Sequence, residues 1–302
     1  MAPILSICIP SFGRLDVTRN TIQSIYADLD GVDINEFEVL ISDNDPNNSS
    51  RIFQDEFLYS NFHYYSTKCD GFMNSFYSLT YGSGEYLKLL NNYTQFRPRT
   101  LRYLINEIKY YLDTKPLFFF TDGLLCKNSK NEYEDFNAYM YDLSYFSSWS
   151  SGFGIWKDDF EKSKFIEIDK MFPHTSLFLY NYQKSLFVLN DMLLFKNQKI
   201  LKKGGYNPYE VFGIYYLDLI CPLCKENRIS FKTFRKIKND LLLKYLATRY
   251  FKTVIGKMDN FECSKIKDYF SVYYGNIDYY KMITFSLFSP ISIAYKKIIC
   301  KL

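Results

Sequence analysis

Two acids and an arginine stand where the first fifty residues turn from apolar to polar. Leu5-Ser-Ile-Cys-Ile-Pro10 runs into Ser11-Phe12-Gly13-Arg14, and Phe37-Glu-Val-Leu-Ile-Ser-Asp43 runs into Asn44-Asp45 and the turn formers Pro46-Asn-Asn-Ser-Ser50. A guanidinium on such a loop suits an anionic group, and carboxylates suit hydroxyl or amide donors. Farther on, His174 follows Pro173 at an apparent helix start. An imidazole there can take a proton from a hydroxyl, and the positive helix end would keep the ring neutral. The competing reading is a capping or core histidine. Asp158, Asp159 and Asp191 are carboxylate alternatives for the same task. Lys202 and Lys203 adjoin Gly204-Gly205, so they suit closure over an anionic group; the alternative is a solvated loop.

The elements that must position these groups follow from periodicity. Short apolar runs predict strands at 4–10, 37–43, 61–66, 85–90 and 117–121. Apolar spacing of the helical kind predicts helices near 14–27, 71–81 and 98–112. Strand alternating with helix predicts an α/β fold with a mostly parallel sheet flanked by helices. Ligands of such sheets lie outside the carboxyl ends of the strands, where 10–14 and 43–45 would meet. The polar, Tyr-rich stretch 125–147 reads as an excursion, and Ser151-Gly-Phe-Gly154-Ile-Trp156 as a strand followed by a short acidic helix from Lys157. Basic helices are expected at 209–224 and 229–256, the latter alternating Phe231, Phe234, Ile237 and Leu241 with Lys232, Arg235, Lys236 and Lys238.

Four motifs in order resemble the inverting family 2 glycosyltransferases of the nucleotide-diphospho-sugar type, the GT-A fold. They are Ser11-Phe-Gly-Arg14 after the first strand, the acid ending the second, Lys68-Cys-Asp70-Gly71-Phe-Met-Asn74, and Gly82-Ser-Gly84-Glu85-Tyr86. The match covers roughly the first third of the chain. The resemblance implies that Pro10, Ser11, Phe12, Arg14, Asp43, Asp45, Asp70, Asn74, Asn91 and Asn92 face a sugar nucleotide, a UDP-sugar above all, with Lys202 and Lys203 closing over it. It implies His174 or Asp191 as the proton acceptor, since His174 stands where the family carries an acid. The chain departs from the family where an Asp-x-Asp would hold Mg²⁺ or Mn²⁺, because Asn91-Asn92-Tyr93 stands there. Three readings follow: protein cations neutralise the diphosphate, another acid such as Asp122 holds the metal, or the domain no longer catalyses. No residue is assigned to a metal.

Charge is uneven along the 302 residues. Sixteen basic residues meet twenty-four acidic ones over 1–180, and twenty-one meet nine over 181–302, net −8 and +12. The expected organisation is a nucleotide-sugar-binding domain at 1–208 and a basic, aromatic-rich helical region at 209–302. The basic region suits a phosphate-bearing membrane surface and a lipid-linked or growing glycan acceptor, such as capsule or O-antigen. The acidic first domain speaks against nucleic acid. Seven dispersed cysteines and no secretory signal fit a cytoplasmic protein, peripheral on the inner face of the membrane. A non-catalytic sugar-nucleotide-binding subunit is the alternative.

Overall fold

A computed structural model describes residues 2–27, 29–200 and 204–291. The chain divides into two compact units, one of 1–134 with 147–199, the other of 135–146 with 200–302. In the first unit the order is β1 (Leu5–Ser11), α1 (Leu15–Tyr26), β2 (Phe37–Asp43), α2 (Phe53–Glu56), β3 (Phe62–Ser66), α3 (Asn74–Thr80), β4 (Tyr86–Leu89), β5 (Thr94–Phe96), α4 (Thr100–Tyr110), β6 (Leu117–Phe120) and β7 (Lys130–Tyr133). Helix α5 (Phe136–Leu143) belongs to the second unit. The first unit resumes with β8 (Gly154–Trp156), α6 (Lys157–Ser163), α7 (Pro173–Tyr180), β9 (Phe187–Asn190) and β10 (Phe195–Asn197).

The central sheet runs β3-β2-β1-β4-β8. Strands β1, β2, β3 and β4 are parallel, with Leu5 opposite both Phe37 and Tyr86, and Ser11 opposite Asp43. Strand β8 closes one edge antiparallel to β4. A second sheet, β6-β9-β7, has β6 and β9 parallel. An antiparallel bridge from Phe119 to Phe153 joins it to the chain entering β8, so β6 runs in the direction of β4. The carboxyl ends of β1, β2, β4, β6 and β9 therefore share one edge. Continuous apolar runs form β1 and β2 because helices cover both faces of a parallel sheet. Ile7, Ile9, Val39, Ile41, Tyr86, Phe118 and Trp156 are all buried in the core that α1 and α4 close. Gly84 has a packing reason: a Cβ there would lie 2.9 Å from the Ser6 amide nitrogen.

In the second unit, α5 is joined by α8 (Pro208–Glu210), α9 (Tyr216–Lys225), α10 (Phe231–Asp240), α11 (Ala247–Tyr250), α12 (Ile266–Tyr273) and α13 (Asn276–Leu287). Wider five-residue turns at Leu241–Leu246 and Phe251–Ile255 continue α10 through α11, making one long helical run. Its buried residues are Thr233, Ile237, Leu241, Leu242, Leu246, Ala247 and Thr253, so the amphipathic spacing of the sequence becomes a packed face. Helix α5 docks here through Asn137, whose Oδ1 accepts from the Ser230 amide and the Thr233 hydroxyl.

Candidate functional site

Strands β1 and β2 end side by side, and their loops are bound together by buried polar groups. The Asn74 amide donates to the Ser11 and Ser42 carbonyls at 3.1 and 2.9 Å, and accepts from the Ser42 hydroxyl at 2.6 Å. The Asn44 amide nitrogen donates to the Ser11 carbonyl, and the Ser11 and Ser50 hydroxyls meet at 3.0 Å. Asp43 is fully buried, yet its carboxylate accepts from the Asp45 and Ser50 amides at 3.0 and 2.8 Å and from the Tyr64 hydroxyl at 3.3 Å. Three donors compensate the burial of that charge and fix the loop 44–50. Asp45 faces Gly13 across this edge; a Cβ on Gly13 would stand 3.9 Å from its Oδ2. The Ser49 hydroxyl and Asn47 amide hold the Asp45 carboxyl below its usual range.

The loop after β1 is bent by two successive left-handed residues, Gly13 and Arg14, with φ of 59° and 56°. For arginine this conformation costs about 1–2 kcal/mol, and such strain gathers where a loop has a task. Phe12, 62 % exposed, and Arg14 both face solvent, while Pro10 is half-buried. Helix α1 starts directly after Arg14 with no side-chain cap, leaving its first amides available to an anion.

The end of β4 is tied to the same edge. The Asn92 amide donates to the Thr18 hydroxyl at 3.1 Å, and the Thr21 hydroxyl donates to the Asn92 carbonyl at 2.9 Å, both from α1. Asn91 accepts from the Ser150 hydroxyl at 2.8 Å and donates to the Tyr93 hydroxyl at 2.9 Å. A divalent cation needs anionic oxygens, and these neutral amides are spent on protein partners. Among the described residues no group of three His, Cys, Asp or Glu side chains could hold a metal ion. The donor set at 91–93 does not fit Mg²⁺ or Mn²⁺.

Just below that edge lies a cation. Lys88 is fully buried in β4, and its ammonium donates to the carbonyls of Leu89 at 2.9 Å, Phe153 at 3.1 Å and Ser151. The rings of Phe120 and Phe195 each lie 5.3 Å from Nζ. Burial brings its pKa down to about 7, against the pull of Asp122. Asp122, at the carboxyl end of β6, takes the Leu194 and Phe195 amides on Oδ1 at 2.9 and 2.7 Å. Among the described residues nothing bonds its Oδ2, and burial pushes its carboxyl up to about 6. The sequence shows only a strand end here; the buried setting that makes Asp122 protonatable comes from residues more than seventy positions away.

The remaining expected residues fall as follows. Asp191 directly follows β9 and is fully buried, and its carboxylate accepts from the Thr121 hydroxyl at 2.6 Å and the amides of Leu125, Lys127 and Asn128 at 3.1, 2.7 and 3.3 Å. Four donors occupy its lone pairs, so it organises the turn 121–128 and has no oxygen left to take a proton from an acceptor. His174 is buried on α7, with Nε2 3.0 Å from the Ser148 carbonyl. That bond requires the hydrogen on Nε2 and leaves Nδ1 as the ring's only lone pair. Its pKa falls to about 4, and the cause is desolvation rather than the helix end. The ring is neutral at pH 7 but a weak base. Asp70 is strongly exposed at the mouth of the turn before α3, 3.6 Å from Lys170. Ser11, Asp43, Asp45, Asn74, Asn91 and Asn92 thus meet on one edge, with Pro10, Phe12 and Arg14; Asp70 borders it, and His174 lies behind the segment carrying Ser150. Lys202 and Lys203 lie outside the described residues.

No protein-family model and no curated protein matches the sequence. Solved structures do resemble the fold. S. aureus TarS 1-349 in complex with UDP-GlcNAc superposes with a TM-score of 0.59 at 12% identity, over 88% of this chain and 78% of that one. The mannosyltransferase PcManGT from Pyrobaculum calidifontis, in complex with GDP-Man and Mn²⁺, gives 0.53 at 10% identity, over 98% and 88%. Against S. aureus TarS without that truncation the score is 0.52 at 12% identity, and this chain spans 43% of its length. At such identities the likeness is one of architecture. The chain has the α/β fold of GT-A-like glycosyltransferases, a parallel sheet flanked by helices.

Proposed function

We propose that this chain is a glycosyltransferase that binds a nucleotide sugar, UDP-linked, across the carboxyl ends of β1, β2 and β4. The observation that carries the reading is the cluster at that edge: Ser11, Asp43, Asn74 and the strained Gly13–Arg14 bend are assembled by buried hydrogen bonds from four separate elements. A fold stabilised by core packing alone has no need of so much buried polarity. The solved relatives of the same fold carry UDP-GlcNAc and GDP-Man, which supports a nucleotide-sugar donor. In this reading Asp43 and Asp45 shape the nucleoside end, Phe12 offers a ring face, and Arg14 with the α1 amides meets the diphosphate. Asp70 and Asn74 border the nucleoside, and Asn91 and Asn92 line the diphosphate–sugar junction.

Transfer with inversion needs a base that takes the acceptor hydroxyl proton as the nucleoside diphosphate leaves. We assign this to Asp122 ahead of His174 and Asp191. Asp122 has an uncommitted oxygen at the same sheet edge and a carboxyl brought up to about 6, close to the range a general base requires. The acceptor is a surface glycan or its lipid-linked precursor. The second reading, a nucleotide-sugar-binding subunit without turnover, is favoured by Asn91-Asn92-Tyr93 in place of acids.

Release of UDP or GDP from UDP-glucose, UDP-GlcNAc, UDP-galactose and GDP-mannose, measured with and without EDTA, tests the proposal. Slow donor hydrolysis that survives EDTA and falls about 10²-fold or more in Asp122→Asn supports it. Binding without release in wild type favours the second reading, and neither binding nor release removes both.

A further inference from the structure

One face of helix α13 packs, and the opposite face, which does not, carries apolar residues. Met282, Ser286 and Ser289 are buried against the second unit. The other face presents Ile277, Tyr280, Leu287, Phe288 and Ile291, exposed by 73, 62, 61, 59 and 68%. With Lys281 and Thr284 between them, the spacing 277, 280, 284, 287 keeps these side chains on one arc of the helix, and Phe288 and Ile291 follow just beyond its end. Lone exposed apolar residues are ordinary on a protein surface, but a contiguous stripe three turns long marks a docking face. A helix exposing this much apolar surface loses solubility unless something covers it.

Charge decides among the occupants. Lys267 on α12, Lys265 just before it, and Lys281 within the stripe, 3.6 Å from Asp278, are exposed. Beyond Ile291 the sequence adds Lys296, Lys297 and Lys301 and no acid. The second unit as a whole counts eighteen basic against ten acidic residues. A second copy pressed face to face would bring these cations together. A bilayer surface with anionic headgroups satisfies both features at once, taking the apolar side chains to acyl depth and the lysines to phosphate level. Tyr280 and Phe288 suit that boundary, where aromatic rings are enriched. Among the described residues no helix is long and apolar enough to cross a membrane, so the contact lies in the plane of the surface.

We infer that the solvent face of α13 together with the residues just beyond its end, from Ile277 to Ile291, docks the chain onto anionic lipid bilayers. The inference is independent of the donor chemistry, since it concerns only the second unit and stands or falls without turnover. It also gives the proposed lipid-linked acceptor a surface on which to meet the enzyme.

Vesicle sedimentation of the full chain tests it, with phosphatidylglycerol and phosphatidylcholine in equal parts against phosphatidylcholine alone. Wild type is expected to sediment with the mixed vesicles, more weakly with the neutral ones, and less as salt rises. Leu287→Glu with Ile291→Glu, both exposed and so compatible with folding, should lower the partition by about tenfold or more. Phe288→Trp gives a second readout: its emission should shift to the blue on mixed vesicles only. Phe231→Ala is the control, because Phe231 is 69% exposed beside Lys232 on α10, outside the stripe. Equal sedimentation of wild type and the double variant, or a loss in Phe231→Ala as large as in the double variant, overturns the assignment. So does a wild-type dimer that the double variant abolishes in light scattering, which would give the face to a second copy.

Discussion

His174 permits a titration that separates burial from surface chemistry. The sequence holds only two histidines, His63 and His174, so two imidazole signals report everything. His174 is buried with Nε2 on the Ser148 carbonyl, and its pKa drops from 6.5 to about 4. Each pKa unit is worth about 1.4 kcal/mol, so protonating this ring inside the fold costs about 3 kcal/mol more than in the unfolded chain. The sign follows from which state binds the proton first. Above pH 6.5 the ring is neutral in both states and contributes nothing to the pH dependence. As pH falls from 6.5 towards 4 the unfolded ring takes the proton and the folded ring does not, so stability declines by about 1.4 kcal/mol per pH unit and levels off below 4. Carbon-labelled imidazole signals followed from pH 8 to pH 4.5 give the titration directly. His174 should remain neutral down to about pH 5 and begin to titrate only at the acid end of that range. Urea unfolding of wild type and His174→Gln gives the energy: the glutamine amide can donate to the same carbonyl, so the two should diverge below pH 6.5 and run parallel above it. A His174 signal titrating near 6.5, or parallel stability curves down to pH 4.5, would refute the burial argument. The same variant bears on catalysis, since turnover should stay within a few-fold of wild type if the ring is a packing element and fall about 10²–10⁴-fold if it is the base.

Asp122 should show the opposite slope. Its carboxyl is moved up from 3.8 to about 6, so the folded state holds the proton longer and wild type should lose up to about 3 kcal/mol relative to Asp122→Asn as pH rises from 3.8 to 6, read by urea unfolding. Lys88→Met should fit between the rings of Phe120 and Phe195 but leave the Leu89, Ser151 and Phe153 carbonyls without their donor, for a net loss of about 1–3 kcal/mol at pH 6; an unchanged urea midpoint would mean the ammonium is not buried as described. Gly152→Ala would place a Cβ 2.2 Å from a carbon of the Phe119 ring and 2.7 Å from the Phe120 carbonyl oxygen, and should cost about 1–3 kcal/mol in thermal unfolding.

The sheet was legible where residues are buried on both faces. Leu5-Ser-Ile-Cys-Ile and Phe37-Glu-Val-Leu-Ile announce β1 and β2 because a covered parallel strand shows a continuous apolar run, and the predicted limits agree with the observed ones to about a residue. The long helical run from Phe231 was legible for a different reason, its sustained periodicity. Strand β9, Phe187–Asn190, was not anticipated: four apolar residues after Gln183-Lys-Ser carry no period, and only pairing with β6 and β7 makes them a strand. Likewise the stretch read as a polar excursion contains β7 and α5, and α5 joins the second unit through Asn137, a contact nearly a hundred residues distant in sequence. Side-chain roles fared similarly. That Asp43 ends a strand is visible in the sequence, but the donors Ser50 and Tyr64 are not. Asp191 looks like an open carboxylate until four donors from 121–128 occupy it. Local patterns specify strands and helices; the state of a buried acid is set by whichever distant donors the fold delivers.

Hydrogen–deuterium exchange of the full chain with and without UDP, in EDTA, tests the nucleotide edge most directly. The edge formed by β1, β2 and β4 predicts slowed exchange at 11–17, 44–50, 69–74 and 91–93, with little change in α10 to α13. Protection confined to other segments, or exchange unaltered at UDP concentrations that saturate binding, would contradict it.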